Sequence, residues 1–273
     1  HADGTLPLPL DVPAKGKCFV NICYHCKQDS ALIKADHLLG FDEIPLQNSD
    51  PRNQDAVQLL GRPTGDGLIT IRETDRMLVL SCEQFTYVFN KLTGLFDKMT
   101  FANEPLLDQP MGFNVWRAPT DNDRKLKADW YAAHYDHAAT NAYHTEYTVT
   151  ASGVTLHTHV GIAAICVQKF LDLDVTWTVA NNGSVDLALH AQRNTVFPEL
   201  PRFGLRLFLP QEMSQVNYYG MGPMECYCDK HHAASHNSYT ATVWQLHEDY
   251  VRPQENGSHF DCDYVMLAGD ACA

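Results

Sequence analysis

Long apolar runs are absent: nothing in the 273 residues approaches eighteen consecutive apolar positions, so no segment reads as a membrane-spanning helix. The opening His1-Ala2-Asp3-Gly4 has neither the basic nor the apolar region of a secretory signal, and no membrane role is expected. A chain that starts on His rather than Met is expected to be a piece of a longer product, so this opening says little about export of the whole. Positive charge is also scarce. Twenty Lys and Arg stand against 33 Asp and Glu, a formal net charge of −13 with histidine neutral, and no basic stripe offsets it locally. Such a surface repels a phosphate backbone, which excludes nucleic acid as an expected partner. Internal repeats, low-complexity tracts and long amphipathic helical patterns are lacking too, and with the last goes the alternating helical rhythm that a (β/α)8 barrel demands.

Cysteine is present without being organised. Nine residues, at 18, 23, 26, 82, 166, 226, 228, 262 and 272, make an odd and scattered set, unlike the dense framework of a small disulfide-held domain, and they fit reduced thiols in a cytoplasm. Cys23-x-x-Cys26 with His25, and Cys226-x-Cys228 with His231 and His232, have spacings that zinc can use. Neither completes a paired motif, and Cys23 and Cys26 cannot face the same side of a regular strand, so no metal site is expected.

What fills the chain is short β-branched and aromatic runs separated by Gly, Asn, Asp and Pro, the pattern of an antiparallel all-β fold. The clearest strands are Leu68–Arg72, Met77–Cys82, Thr86–Asn90, Tyr147–Thr150, Val154–Val160, Val167–Val179, Asp186–Gln192, Gly204–Leu209 and Val216–Tyr219. Turn chemistry at Lys91–Gly94, Ala151–Gly153 and Asn181–Ser184 joins several of them as hairpins. The run Lys169–Val179 alternates apolar and polar positions, so it reads as a long strand with one buried face. Lys125–His137 breaks the rhythm as a short helix or loop, and 49–66, rich in Asp, Asn, Gln, Pro and Gly, reads as a linker. Before it, Lys17–Lys27 and His37–Pro45 supply only two or three strands, too few to bury a core alone.

Phe113-Asn-Val-Trp-Arg-Ala-Pro-Thr-Asp-Asn-Asp123 resembles the Trp-Arg-Ala-Pro-Thr-Asp-Asn-Asp signature of the C-terminal domain in family-two β-galactosidases, eight matched residues in a row. Gly220-Met-Gly-Pro-Met-Glu-Cys-Tyr-Cys-Asp-Lys-His-His-Ala233 is similar to a second element of that domain, with Cys226 where the family usually has Asn. Glu199–Leu205 and Tyr250–Gly257 agree in order, and Tyr87–Gly94 resembles the opening hairpin, so the likeness covers residues 66–273. It implies a large supersandwich similar to galactose mutarotases over 67–273, preceded by the last strands of an immunoglobulin-like β-sandwich in 1–48 and the linker 49–66. The family's domain runs on for several strands past the Arg-Pro-Gln-Glu-Asn-Gly element, whereas this chain stops at Ala273, sixteen residues beyond Gly257, so a truncated supersandwich is expected.

The resemblance also implies a division of labour. A retaining glycosidase needs two carboxyl groups about 5 to 5.5 Å apart, and in this family both sit on the barrel, so no catalytic residue is expected in this chain and it should be inactive alone. Its implied partners are the catalytic barrel domain, a galactoside bound through that domain, and further copies in a homo-oligomer. Cofactors are expected elsewhere: none in this segment, with Mg and Na held on other domains. Asp121, Asn122 and Asp123, with the loop from Arg124 to Trp130, are implied to lie near the mouth of the sugar pocket, although Arg124-Lys125 departs from the usual Ile-Gly.

Residue chemistry offers a second reading at each of these positions. Asp121, Asn122 and Asp123 have oxygens suited to capping a turn as much as to binding sugar. Arg117, beside Trp116, can pair with Glu225 and so join two loops. Gly220, Gly222 and Pro223 suit a tight bend, Trp116 and Tyr227 either fill the core or stack on a sugar, and Pro119 and Asp229 complete the two signatures. Outside the hydrolase reading stand a carbohydrate-binding module and a mutarotase-like epimerase using His190 and Glu199 as acid and base, and a separately encoded small subunit remains a variant of the hydrolase reading.

Overall fold

The computed structural model describes residues 7–12, 17–47 and 67–269, and the expected linker, 49–66, lies outside them. Every ladder among the described residues is antiparallel. In chain order the strands begin with β1 (Cys18–His25), β2 (Leu38–Gln47), β3 (Thr70–Glu73), β4 (Met77–Ser81), β5 (Phe85–Asn90), β6 (Leu95–Phe101), β7 (Glu104–Pro105) and β8 (Gln109–Asn114). A 3-10 turn at Asp121–Arg124, the short helix α1 (Lys127–Ala132) and a second 3-10 turn at Tyr135–His137 interrupt them. Then come β9 (Ala139–Thr150), β10 (Gly153–Ala163), β11 (Leu171–Ala180), β12 (Val185–Arg193), β13 (Gly204–Phe208), β14 (Gln215–Gly222), β15 (Ser235–Thr242) and β16 (Tyr264–Ala268).

The chain divides into two compact units. Among the described residues one holds 67–213 together with 249–255; the other holds 7–12, 17–47, 214–248 and 256–269. The larger unit is an antiparallel β-sandwich. Its sheets, in the orders β3-β4-β5-β6-β7 and β12-β11-β10-β9, close on one continuous apolar core, and the ribbon β8-β13 adds Met111, Phe113 and Leu205 against it.

Period-two alternation explains why these strands bury the faces they do. In β11, Leu171, Leu173, Val175, Trp177 and Val179 point inward, and in β10 Val154, Leu156, Val160 and Ile162 do the same. Phe85, Tyr87 and Phe89 of β5 face them from the opposite sheet, where a register shift between Val88 and Phe89 lets Leu95 and Phe96 of β6 both turn inside. Phe96 sits edge-on to Phe89 and to Trp177, with centroids 5.2 Å apart in each case. Each such side chain removed from water stabilises the fold by about 1.5–3 kcal/mol before entropy is counted. The polar tips are also satisfied: Trp177 Nε1 donates to the Gly94 carbonyl (3.0 Å) and Tyr87 Oη to the Gly183 carbonyl (2.8 Å). Burial pushes the Tyr87 phenol up to about 12, so it stays a donor.

The smaller unit joins the hairpin β1-β2 with the sheet β15-β14-β16. His236 is its main fastening. Its backbone N–H donates to Glu43 Oε2 (2.7 Å), its Nδ1 faces Glu43 Oε1 (2.7 Å), its Nε2 faces Asp261 Oδ2 (2.9 Å), and its ring lies flat on Phe19 at 4.2 Å. Lys17 Nζ adds an ion pair to Asp263 at 2.5 Å. Apolar burial is thinner here: Val216, Tyr218, Met221, Cys226 and Ala234 are buried, while Ile22, Tyr24, Leu38, Leu39, Ile44 and Leu46 of the hairpin are exposed.

The expected all-β antiparallel fold is therefore present. The expected strand over Val167–Val179 starts only at Leu171, because Cys166 adopts φ 63° in a turn and Phe170 N–H donates back to the Ile162 carbonyl (3.1 Å). Tyr147–Thr150 proves to be the end of a strand that begins at Ala139. β6, β8, β15 and β16 carried no clear local signal. A bulge places Leu95 and Phe96 side by side, β8 contains Pro110 and Gly112, and β15 is almost wholly polar, so pairing decides these segments.

Gly94 tests the sandwich directly. It holds φ +73°, and an added Cβ would stand 2.8 Å from Val160 Cγ2. Gly94→Ala is expected to cost about 1–3 kcal/mol, whereas Gly112→Ala, which meets nothing within 4 Å, should change stability by less than about 0.5 kcal/mol. Urea unfolding midpoints of the two variants check this, and equal midpoints would refute the close approach of the two sheets.

Candidate functional site

Beyond β8 the chain runs extended to Thr120 and then tightens into the Asp121–Arg124 turn. The Thr-Asp-Asn-Asp sequence favours this, because a short acidic side chain can satisfy the free N–H groups that open a turn. Asp123 does so at only 6% exposure: Thr120 N–H (2.7 Å) and Thr120 Oγ1–H (2.9 Å) both donate to its Oδ2. Arg117 Nη2 donates to its Oδ1 (2.9 Å), and Nη1 stands 2.7 Å from Oδ2 as an ion contact without hydrogen-bond alignment. Burial pushes the Asp123 carboxyl upward, but the two Thr120 hydrogen bonds and the Arg117 guanidinium together hold it below the usual carboxylate value.

Arg117 does more than pair with Asp123. Its guanidinium lies over the Trp130 ring, 5.4 Å from the centroid, and its Nε stands 3.3 Å from Glu255 Oε1. Glu255 in turn accepts from Arg202 Nη2 at 2.5 Å. The residues just before Glu255 clasp the same turn: the Pro253 carbonyl accepts from Asp121 N–H (2.9 Å), and Arg252 Nη1 lies 3.5 Å from Asp121 Oδ2. Trp130 is buried in the sandwich core and donates from Nε1 to the Glu199 carbonyl (3.0 Å), while Tyr135 Oη donates to the Pro198 carbonyl (2.6 Å). Trp116 packs beside Tyr131 with centroids 5.2 Å apart. Three stretches far apart in sequence thus meet at one turn.

The turn leaves Asn122 and Arg124 exposed and Asp121 half-buried. Asp123 and Trp130, the other two positions implied for a sugar rim, are buried. Within the larger unit Arg117 takes Asp123 and Glu255. Within the smaller unit Glu225 forms an ion pair with Lys230 and accepts from Gly257 N–H (2.8 Å). Asp123 lies only six residues after Arg117, so ordering that pair closes a short loop, and sequence alone did not say which distant Glu would join it. Arg202 and Glu255 were the missed members, though both fall inside the blocks that agree with the family.

The second signature belongs to the smaller unit. Gly222 is required by space rather than by a bend alone, since an added Cβ would meet Tyr218 Oη at 2.3 Å and Tyr239 Cδ2 at 2.7 Å. Tyr239 Oη donates to the Gly222 carbonyl (3.0 Å) and Tyr218 Oη to that of Pro223 (3.4 Å), across a cis Gly222–Pro223 bond. Cys226 both gives and takes a hydrogen bond: its buried thiol donates to the Met221 carbonyl (3.3 Å) and accepts from Phe260 N–H (3.2 Å). Tyr227 and Lys230 exchange backbone hydrogen bonds around Asp229, which is exposed, and Pro119 lies half-buried in the approach to the first turn.

Among the described residues no three His, Cys, Asp or Glu side chains gather closely enough to hold a metal ion. Cys26 Sγ donates to the Gln28 carbonyl (3.1 Å), and His25 Nδ1 faces the Asp36 carbonyl (2.9 Å). Glu199 places its carboxylate 2.6 Å from Arg193 at the surface, and His190 stands opposite Asp174 on β12, so neither shows the shared geometry that acid–base work on one sugar requires. No helix among the described residues is long and apolar enough to cross a membrane.

An antiparallel β-sandwich whose longest sequence signature forms one clamped turn defines a class of fold and not a chemistry. More narrowly, residues 81–271 match the family described as beta galactosidase small chain, and the chain belongs to it. Over 265 residues it is 34% identical to the beta-galactosidase of Actinobacillus pleuropneumoniae, covering 97% of this chain and 26% of that protein. The beta-galactosidase of Staphylococcus xylosus is 32% identical over 250 residues, with 91% and 24% covered, and that of Pseudoalteromonas haloplanktis 26% identical over 268 residues, with 91% and 25% covered. The chain spans about a quarter of the length of these relatives.

Two outcomes follow from the clamp. Arg117→Ala removes the partner of a nearly buried carboxylate and is expected to cost about 3–5 kcal/mol, with a shift in Trp130 fluorescence; unchanged stability and emission together would sink the assignment. Because the folded-state Asp123 value is depressed, its contribution is present above the ordinary value of 3.8 and disappears as pH falls through the lower folded-state value. The stability gap between the wild type and Asp123→Asn should therefore be constant at neutral pH and close in strong acid, as urea titrations from pH 7 to pH 2 would show.

Proposed function

We propose that this chain is the noncatalytic β-sandwich portion of a β-galactosidase that hydrolyses terminal β-D-galactosides, and that it supports the rim of that enzyme's sugar site and its assembly. The observation that carries this reading is the turn itself: Asp121–Arg124 is fixed from beneath by Arg117, Asp123 and Glu255, yet presents Asn122 and Arg124 outward. A rigid amide and guanidinium suit hydrogen bonding to sugar hydroxyls or to a neighbouring domain's carbonyls. Leu126 and Tyr131, close to this turn in sequence, and Val251, beside the Arg252 that reaches it, are exposed apolar side chains of the kind a partner domain covers.

The chain's own well-buried carboxylates argue against independent catalysis. A retaining mechanism needs one carboxylate free to attack and one carboxyl able to donate a proton. Asp123 and Glu255 are each held by arginine instead. In this reading the attacking groups sit on a catalytic barrel domain, Mg and Na belong to other domains, and the complete enzyme is a homo-oligomer. The hairpin β1-β2, with its exposed Ile22, Tyr24, Leu39 and Ile44, fits the end of an immunoglobulin-like sandwich completed by the rest of the enzyme.

Hydrolysis of a chromogenic β-galactoside tests the reading. The chain alone should release no product, and mixing it with the A. pleuropneumoniae relative lacking its matching quarter should restore turnover. Activity of the chain alone would overturn the proposal, and an inactive mixture would remove its supporting role.

A further inference from the structure

We infer that Glu255 is a positioning residue that sets how tightly the glycoside is held, by fixing the Asp121–Arg124 turn through two arginines. The inference rests on the proposed function for its link to substrate, but its structural half stands alone. Glu255 Oε1 is shared between Arg117 Nε (3.3 Å) and Arg202 Nη2 (2.5 Å), and at 16% side-chain exposure it is well shielded. Arg117 is equally enclosed, at 14%, and its Nε meets Glu255 as an ion contact without hydrogen-bond alignment.

Four charges therefore form one neutral cluster: Arg117 and Arg202 against Asp123 and Glu255. Asp123 holds the turn locally, since its partners Thr120 and Arg117 are three and six residues away. Glu255 is different. It brings in the segment Arg252–Glu255, whose Pro253 carbonyl accepts from Asp121 N–H (2.9 Å) and whose Arg252 approaches the Asp121 carboxylate (3.5 Å). Without the Glu255 charge this strap loses both its arginine anchors and keeps only the backbone hydrogen bond at Asp121 and the longer Arg252–Asp121 contact to hold it against the turn. Asn122 and Arg124, the exposed members of the turn, then sample more orientations. The charged partners of Glu255 among the described residues are Arg117 and Arg202, neither of them on a β-strand, so the β-sheets need not respond.

Such a residue affects binding more than bond cleavage, because it acts on the rim and not on the reacting carboxyls. Glu255→Gln keeps the shape and removes the charge. Glu255→Asp keeps the charge but shortens the reach, so it cannot span both arginines. Arg202→Ala breaks the outer contact alone at a half-exposed position and serves if either Glu255 variant fails to fold. Glu146→Gln, on the exposed strand β9, is the control.

Hydrogen exchange of the chain alone decides the structural half. Glu255→Gln and Arg202→Ala should speed exchange of the Asp121 amide about tenfold, equivalent to roughly 1.4 kcal/mol, with β10 and β11 amides unchanged; equal rates at Asp121 in every variant would overturn the inference. In the reconstituted enzyme, KM should rise several-fold with kcat nearly kept, and Glu255→Asp should not rescue it. A fall in kcat at constant KM would overturn the link to binding. If the wild-type chain fails to reconstitute activity, the functional reading fails instead, and the exchange data alone decide whether Glu255 positions the turn.

Discussion

The arrangement of the site depends on one desolvated guanidinium. An enclosed guanidinium must be met by carboxylate, and the structure meets that of Arg117 twice, with Asp123 six residues on and Glu255 from a segment more than a hundred residues away. A buried ion pair gains little over a well-packed apolar contact, but leaving one partner behind is costly. That asymmetry makes the cluster a specifier of geometry rather than a source of stability. It dictates where the Asp121–Arg124 turn sits and which side chains of that turn reach solvent.

The sandwich supplies what the cluster cannot, a rigid floor. Trp130 binds the short helix to the core and offers its ring to Arg117, while its indole nitrogen holds the Glu199 carbonyl. The aromatic set Phe89, Phe96 and Trp177 closes the two sheets at close-packed distance, so displacement of the helix would open a void. Polar geometry at the rim and apolar packing beneath it are thus one mechanical unit. The smaller unit achieves its own cohesion with less apolar burial and more charge, His236 lying between Glu43 and Asp261.

Much of the sandwich was legible because half-buried strands declare themselves by alternation. Leu171 to Val179 reads inward and outward in the sequence as it does in the fold. β15 did not, since Ser235–Thr242 is polar on both faces and becomes a strand only because β14 offers it a partner. β6 misled for a local reason, its bulge setting two apolar residues in succession on the same side. Turns with Gly at positive φ, such as Gly94, were readable as turns, but their tight approach to the opposite sheet was not.

The site divides in the same way. Sequence by itself determined the fold class, the family resemblance and the residues of the turn, because alternation, turn chemistry and an eight-residue signature are local properties that need no knowledge of what lies across space. Tertiary structure alone decided that Arg117 meets Glu255, that Trp130 and Asp123 face inward, and that Gly222 is fixed by the rings of Tyr218 and Tyr239. Each of these depends on which distant side chain fills a given space, and a charge or a ring in the sequence carries no mark of its partner until the chain has folded around it.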